Sequence, residues 1–225
     1  MNRHFIVVAG GSGTRMNAAL PKQFLLLNGK PVLMHTLNAL HTAVPDASIV
    51  LVLPQSHFET WEELCSKHSF QLKHEKVAGG TTRFHSVKNG LATLSSGLVA
   101  VHDGVRPLVS VATIKRTFEA AEKSGAAVPV IDVNESVRSI DDSGNKALNR
   151  ALIKLVQTPQ CFQYNLMRLA FEQTYSDRFT DCASVIETNG TKITLVEGNE
   201  ENIKITRPQD LALADWYLAN QHYLQ

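Results

Sequence analysis

Two cations following a glycine-rich turn are the first residues in this sequence that could do chemistry. Ala9-Gly10-Gly11-Ser12-Gly13-Thr14-Arg15-Met16 is followed by Pro21-Lys22-Gln23. Glycines let backbone N–H groups approach phosphate oxygens with no Cβ in the way. The spacing fails as a dinucleotide fingerprint, because Met16 stands where a third glycine is needed, and no Gly-Lys-Ser/Thr completes a phosphate-binding P-loop. What remains is a glycine loop with Arg15 and Lys22 after it, which suits a reaction whose transition state gathers charge on phosphate. Alone, it reads equally as a strand–helix turn with two surface cations.

Four further clusters carry polar residues of the right kinds. In Gly79-Gly80-Thr81-Thr82-Arg83-Phe84-His85-Ser86 a glycine pair feeds a helix start, either a capped terminus or an anion site. His102-Asp103-Gly104-Val105-Arg106-Pro107 places an acid after an apolar run. Asp103 could bind a hydroxyl, could bind Mg²⁺ directly or through water, or could pair with Arg106 to shape the loop. Thr180-Asp181-Cys182-Ala183-Ser184 reads first as a capped helix start. Lys204 lies in an apolar, strand-like run, Ile203-Lys204-Ile205, so its ammonium is expected either in a cleft or at a sheet edge.

These residues need a frame. Apolar, β-branched runs at 5–9, 49–53, 98–101 and 126–133 read as buried strands, with a further strand at 72–78. Helical spacing appears at 31–43, 58–68 and 81–94, and Ser110 and Gly125 bracket another helix. Strand–helix alternation implies an α/β fold with a mostly parallel sheet and helices on both faces. Ligands in such sheets bind beyond the carboxyl ends of the strands, where three of these loops fall. Residues 134–158 break the rhythm and read as a β-hairpin arm with a turn at 141–145. A helix at 163–175, a short helix from Asp181, a strand at 192–196 and a helix from Pro208 complete the expected single domain over 1–225.

Composition narrows the function classes. A net charge of +1 over 225 residues gives no basic surface for nucleic acid. No apolar stretch is long enough to span a membrane. Three cysteines without a paired spacing and nine scattered histidines suggest reduced thiols and no compact metal site, so a cytoplasmic protein is expected.

In order along the chain stand AGGSGTRM–PKQF, GGTTRFHSV, HDGVRP, QTPQ, TDCAS and VEGNEENIKIT. Together they resemble the 2-C-methyl-D-erythritol 4-phosphate cytidylyltransferases, over nearly the whole chain. The resemblance implies a Rossmann-like nucleotidyltransferase fold, CTP as co-substrate, Mg²⁺, and a homodimer built through the arm. It implies that Arg15 and Lys22 stabilise the triphosphate, and that Val8, Ala9, Gly10, Gly11, Gly80 and Ser86 hold the nucleoside. Asp103 would face the substrate hydroxyls and the metal, and Thr158 and Thr180 would touch the substrate. Arg150 and Lys204 would hold the substrate phosphate, Arg150 acting from the partner subunit. Val8-Ala9-Gly10-Gly11 stands where many members read Pro-Ala-Ala-Gly, Gly104-Val105 where they read Ala-Ala, and Cys182 where they carry an acid. The glycine-rich loop also resembles the ribitol 5-phosphate cytidylyltransferases, which leaves that polyol phosphate as an alternative. A non-catalytic nucleotide-binding scaffold is the alternative of another class, and the retained charges argue against it.

Overall fold

The computed structural model describes residues 1–11 and 20–220. β1 (Arg3–Val8) is followed by a short hairpin, β2 (Leu26–Leu27) and β3 (Lys30–Pro31), and by α1 (Val32–Ala43). Then come β4 (Ser48–Leu53), α2 (Phe58–Lys67), β5 (Glu75–Ala78), α3 (Arg83–Leu91), β6 (Leu98–Asp103), α4 (Val111–Ser124) and β7 (Ala126–Asp132). The arm is the hairpin β8 (Val137–Asp141) and β9 (Gly144–Leu148). The chain returns through β10 (Lys154–Val156) and β11 (Gln160–Gln163) and ends with α5 (Tyr164–Ala170), α6 (Cys182–Glu187), β12 (Thr194–Glu197) and α7 (Pro208–Ala219).

The main sheet runs β10-β7-β11-β6-β1-β4-β5, with β12 also on β7. Val130 pairs with both Val156 and Glu197, and Ala127 with both Cys161 and Thr194. So β10 and β11 lie end to end along one edge of β7, and β12 lies along the other. Only β10 and β11 run antiparallel to their neighbours in this sheet. The mostly parallel sheet is therefore as expected.

Strand alternation sorts the core into two layers. Phe5, Val7 and Leu51 pack on one face with Leu37 of α1, Trp61 of α2 and Phe118 of α4. Ile6, Val50, Val52 and Val101 pack on the other with Phe84 and Val87 of α3, Met167 of α5 and Ile186 of α6. The caps fall where the sequence marks them. The Ser110 hydroxyl accepts from Thr113 N–H at 3.1 Å, and Gly125, at φ 89°, closes α4.

Four expectations needed correction. The arm expected over 134–158 is shorter: its hairpin ends at Leu148, and β10 (Lys154–Val156) already rejoins the main sheet. The helix expected at 163–175 stops at Ala170. Beyond it Phe171, Tyr175 and Phe179, spaced like a helix face, instead gather around the Phe84 ring with centroids 4.8–5.9 Å away. The fifth strand begins at Glu75 rather than 72: His74, accepting from Trp61 Nε1 at 2.9 Å, donates from Nδ1 to Leu72 O at 2.7 Å, so that carbonyl is met by a side chain instead of a neighbouring strand. Lys204 lies in an irregular loop and not in a strand, although Ile205 N–H bonds Val105 O at 2.9 Å.

Candidate active site

The carboxyl ends of β1, β5 and β6 open onto a cavity of about 260 Å³. Val8, Ala9, Gly10 and Gly11 form one wall. Ala9 N–H bonds Val52 O at 2.9 Å, which fixes where the loop leaves the sheet. Lys22 lines the same wall from a 3₁₀ turn, Lys22–Phe24. The neighbouring Gln23 is fully buried and its Nε2 donates to Ala9 O at 2.8 Å, so the Lys22 turn is tied to the glycine loop. Arg15 lies outside the described residues.

The second wall is the start of α3. Thr82 caps it by accepting from His85 N–H at 3.3 Å. Ser86 donates to Thr82 O at 3.0 Å and accepts from Gly80 N–H at 3.1 Å, so this loop is held from within. Gly80, Ser86 and Arg83 all line the cavity.

Asp103, at the end of β6, forms the floor and is only 6% exposed. Three cations surround it. Arg83 Nε lies 3.6 Å from Oδ1, while Arg106 Nε and Lys204 Nζ lie 3.4 Å and 3.0 Å from Oδ2. Burial alone would raise the carboxyl pKa, but the charges of Arg83, Lys204 and Arg106 outweigh it and hold the group well below the usual carboxylate range. Asp103 is an anion throughout the physiological range.

Beneath the floor is a directional chain of hydrogen bonds. Asp103 N–H donates to the Thr158 hydroxyl at 3.1 Å. That oxygen lies 3.0 Å from His102 Nδ1, and His102 Nε2 lies 3.1 Å from Arg106 O. The Arg106 carbonyl can only accept, so Nε2 carries the ring proton, Nδ1 is bare, and Thr158 donates to it. Burial lowers the His102 pKa to about 4, so the ring is neutral, as this arrangement requires. The Thr158 carbonyl accepts from Asn202 Nδ2 at 2.8 Å, and Asn202 O accepts from Arg106 Nη1 at 2.6 Å. One residue, Thr158, thus holds both the Asp103 strand end and the loop that carries Lys204.

Nine of the residues singled out from sequence converge on this cavity: Val8, Ala9, Gly10, Gly11, Lys22, Gly80, Ser86, Asp103 and Lys204. Thr158 does not line it; its side chain is buried below the floor. Thr180 is exposed, next to the Asp181 cap of α6, and does not line it either. Arg150 belongs to a turn at the foot of the arm, where it is exposed and donates to Asn134 O. Arg83 and Gln23 join the site without having been singled out, while the pairing of Arg106 with Asp103 that the sequence offered is present at 3.4 Å. Arg83 stood inside a flagged motif, so the signal was there. Nothing local marks Gln23 as buried.

Asp103 is the one carboxylate lining the cavity among the described residues, and it already faces three cations. Among the described residues no group of three His, Cys, Asp or Glu could hold a metal. This donor set suits a divalent ion arriving on a polyphosphate substrate, not a resident ion, since magnesium commonly keeps its waters and takes one or two carboxylates besides phosphate oxygens.

A glycine loop facing a cation-rich cleft at the carboxyl edge of a mostly parallel sheet places the fold among the α/β nucleotidyltransferases. Within that class, residues 3–220 match the family IspD, 2-C-methyl-D-erythritol 4-phosphate cytidylyltransferase, and the chain belongs to that family. It is 51% identical to the enzyme of that name from Phocaeicola vulgatus, over 96% of this chain and 99% of the relative. To that from Bacteroides fragilis it is 52% identical, over 95% of this chain and 98% of the relative. Among solved structures it is similar to 2-C-methyl-D-erythritol 4-phosphate cytidylyltransferase from Thermus thermophilus. That likeness has a TM-score of 0.79 and 33% identity, over 98% of this chain and 100% of that one.

Proposed function

We propose that this chain transfers CMP from CTP to 2-C-methyl-D-erythritol 4-phosphate, releasing pyrophosphate and supplying isoprenoid synthesis by the non-mevalonate route. The observation that carries the reading is the cavity floor. The Asp103 anion and the Lys204 ammonium stand 3.0 Å apart, opposite a glycine loop with Lys22. A polyol phosphate needs such an acceptor for its hydroxyls beside a cation for its phosphate.

The nucleoside would lie against Val8, Ala9, Gly10, Gly11, Gly80 and Ser86. Lys22, together with Arg15, would meet the triphosphate. CTP would enter as its magnesium complex, the ion supplying charge neutralisation on the phosphates. The chain's own residues do the rest. Lys204 fixes the acceptor phosphate, Asp103 orients the polyol, and Lys22 stabilises charge on the α-phosphate and departing pyrophosphate. The attacking phosphate oxygen is already ionised near neutral pH, so no general base is needed. The fold leaves Arg150 exposed on the arm, consistent with a homodimer in which Arg150, and with it the substrate phosphate, is reached from the partner subunit. Thr180 would close the substrate end. Among the described residues the three cysteines are unpaired, which suits a reducing cytoplasm, where CTP is found.

Pyrophosphate release with CTP and Mg²⁺ tests the proposal, comparing methylerythritol 4-phosphate with ribitol 5-phosphate. Strong preference for the branched substrate is expected. Preference for ribitol phosphate would move the enzyme to another pathway, and no release with either would leave only a nucleotide-binding protein.

A further inference from the structure

The two oxygens of Asp103 have different neighbours. Oδ2 faces Arg106 and Lys204, and Oδ1 faces Arg83. The last torsion of an aspartate is broad, so a carboxylate gripped at one oxygen can swing. A grip on both oxygens sets the plane of the group. Arg83 supplies the second grip.

Arg83 is itself aimed by a second contact. Its backbone opens α3 behind the Thr82 cap, and its Nη1 donates to Cys182 Sγ at 3.1 Å. Cys182 is fully buried, and its N–H bonds Gln160 Oε1 at 3.0 Å, so the sulfur is a fixed point. Burial pushes the Cys182 thiol up in pKa despite Arg83, so it is uncharged. A neutral sulfur is a weak acceptor that directs the guanidinium without neutralising it. The Arg83 charge is left to Asp103, to the nearby Asp181 carboxylate and to the cavity it lines.

We propose that Arg83 is a positioning residue for the Asp103 carboxylate and that the Cys182 thiol is the anchor that aims it. The kinetic consequence rests on the functional reading above, in which Asp103 orients the polyol; the structural consequence does not.

The test uses the full chain with Arg83→Met, Arg83→Lys, Cys182→Ala and Cys182→Ser. Crystal structures of Arg83→Met and Cys182→Ala should show the Asp103 carboxylate rotated, with Oδ2 still on Lys204. In steady state, Arg83→Met should raise KM for methylerythritol phosphate by about 10- to 100-fold, the scale of a small misplacement of a positioning group. KM for CTP should stay within two-fold. Cys182→Ala should move the same constant in the same direction by less, and Cys182→Ser, which restores an acceptor, should return it to the wild-type range. Arg83→Lys keeps a point charge near Oδ1 but no fork to reach sulfur, and should fall between. If Arg83→Met does not fold, Arg83→Lys and Cys182→Ala carry the test. An unmoved carboxylate, or KM values for both substrates rising together, would overturn the proposal. A wild-type enzyme that turns over neither polyol phosphate would sink the functional reading, and the crystal structures would still decide this one.

Discussion

Replacing Thr158 by valine removes one hydroxyl and keeps nearly the same side-chain shape. Thr158 is 4% exposed, and its hydroxyl serves Asp103 N–H at 3.1 Å and His102 Nδ1 at 3.0 Å. Thr158→Val leaves one buried donor and one buried acceptor without partners, at about 1–3 kcal/mol each, or about 2–6 kcal/mol in all. A typical domain is stable by about 5–15 kcal/mol, so this is a large fraction. Thr158→Ser keeps the hydroxyl and loses a methyl, which costs about 1 kcal/mol. Urea unfolding at pH 7 and fixed protein concentration measures both, with the slope m checked for constancy. Activity should fall with stability, because Asp103 and the Lys204 loop lose a common support. The reasoning fails if Thr158→Val unfolds within about 0.5 kcal/mol of wild type, the range of an ordinary surface change, while KM for the polyol phosphate climbs. That result would return Thr158 to the substrate contact its motif suggests.

Three other outcomes follow from the same geometry. His102 is held near pKa 4 in the fold against about 6.5 when unfolded, so between those values the unfolded chain binds more protons and stability falls as pH drops from 7 to 4. The loss is about 3 kcal/mol at 1.36 kcal/mol per unit, and His102→Gln should remove that part of the slope in a pH series of urea melts, leaving the part due to His4, His35 and His74, whose pKa values burial also lowers. A Cβ at Gly104 would meet Ala9 Cβ at 2.8 Å and Leu33 Cδ1 at 3.0 Å, whereas at Gly10 the nearest atom is Pro54 Cδ at 3.9 Å. Gly104→Ala should therefore destabilise by about 1–3 kcal/mol in thermal or urea melts, and Gly10→Ala should be close to neutral. If the arm crosses a two-fold axis, mixing inactive Arg150→Ala and Lys204→Ala homodimers through reversible dissociation should regain up to about a quarter of wild-type activity, since half the dimers are mixed and each has one intact site. No recovery after proven subunit exchange would place Arg150 and Lys204 in the same subunit's site.

The parts of this molecule legible in the sequence are those decided locally. Runs such as Ile49–Leu53 are apolar on both faces because helices cover both sides of the sheet, and no other element needs such a run. Ser110 and Gly125 mark α4 because a free N–H and a left-handed turn each ask for a particular residue. By contrast β11 is four residues, Gln160–Gln163, with a glutamine at each end. Its polar residues look like a loop until the sheet is assembled. Then Gln160 proves to be buried, with Oε1 accepting from Cys182 and Ala183 N–H at 3.0 and 3.2 Å and Nε2 donating to Asp181 at 2.7 Å. A buried polar group earns its place only through its partners, and these lie 21 to 23 positions along the chain.

The same distinction explains the site. The motifs announce which chemistry is present: glycines, an acid, several cations, a threonine. They do not announce which way each group points. Asp103 meets Lys204 from far along the chain, and Thr158 meets Asp103 by its side chain and Asn202 by its carbonyl. Thr158 and Arg83 accordingly make contacts that their motifs alone do not announce. The threonine is buried beneath the floor, where its hydroxyl meets Asp103 N–H and His102 Nδ1. The arginine, which could have been an exposed residue of a helix's first turn, is drawn inward by Cys182 Sγ and faces Asp103. In the resemblance Cys182 stands where many members carry an acid, and the physical consequence differs with that choice. A carboxylate would take the guanidinium into an ion pair of its own, while a neutral thiol leaves Arg83 to the Asp103 anion of the floor, with Asp181 beside it. The residue least expected to matter from its motif therefore sets how the charge of the cavity is divided.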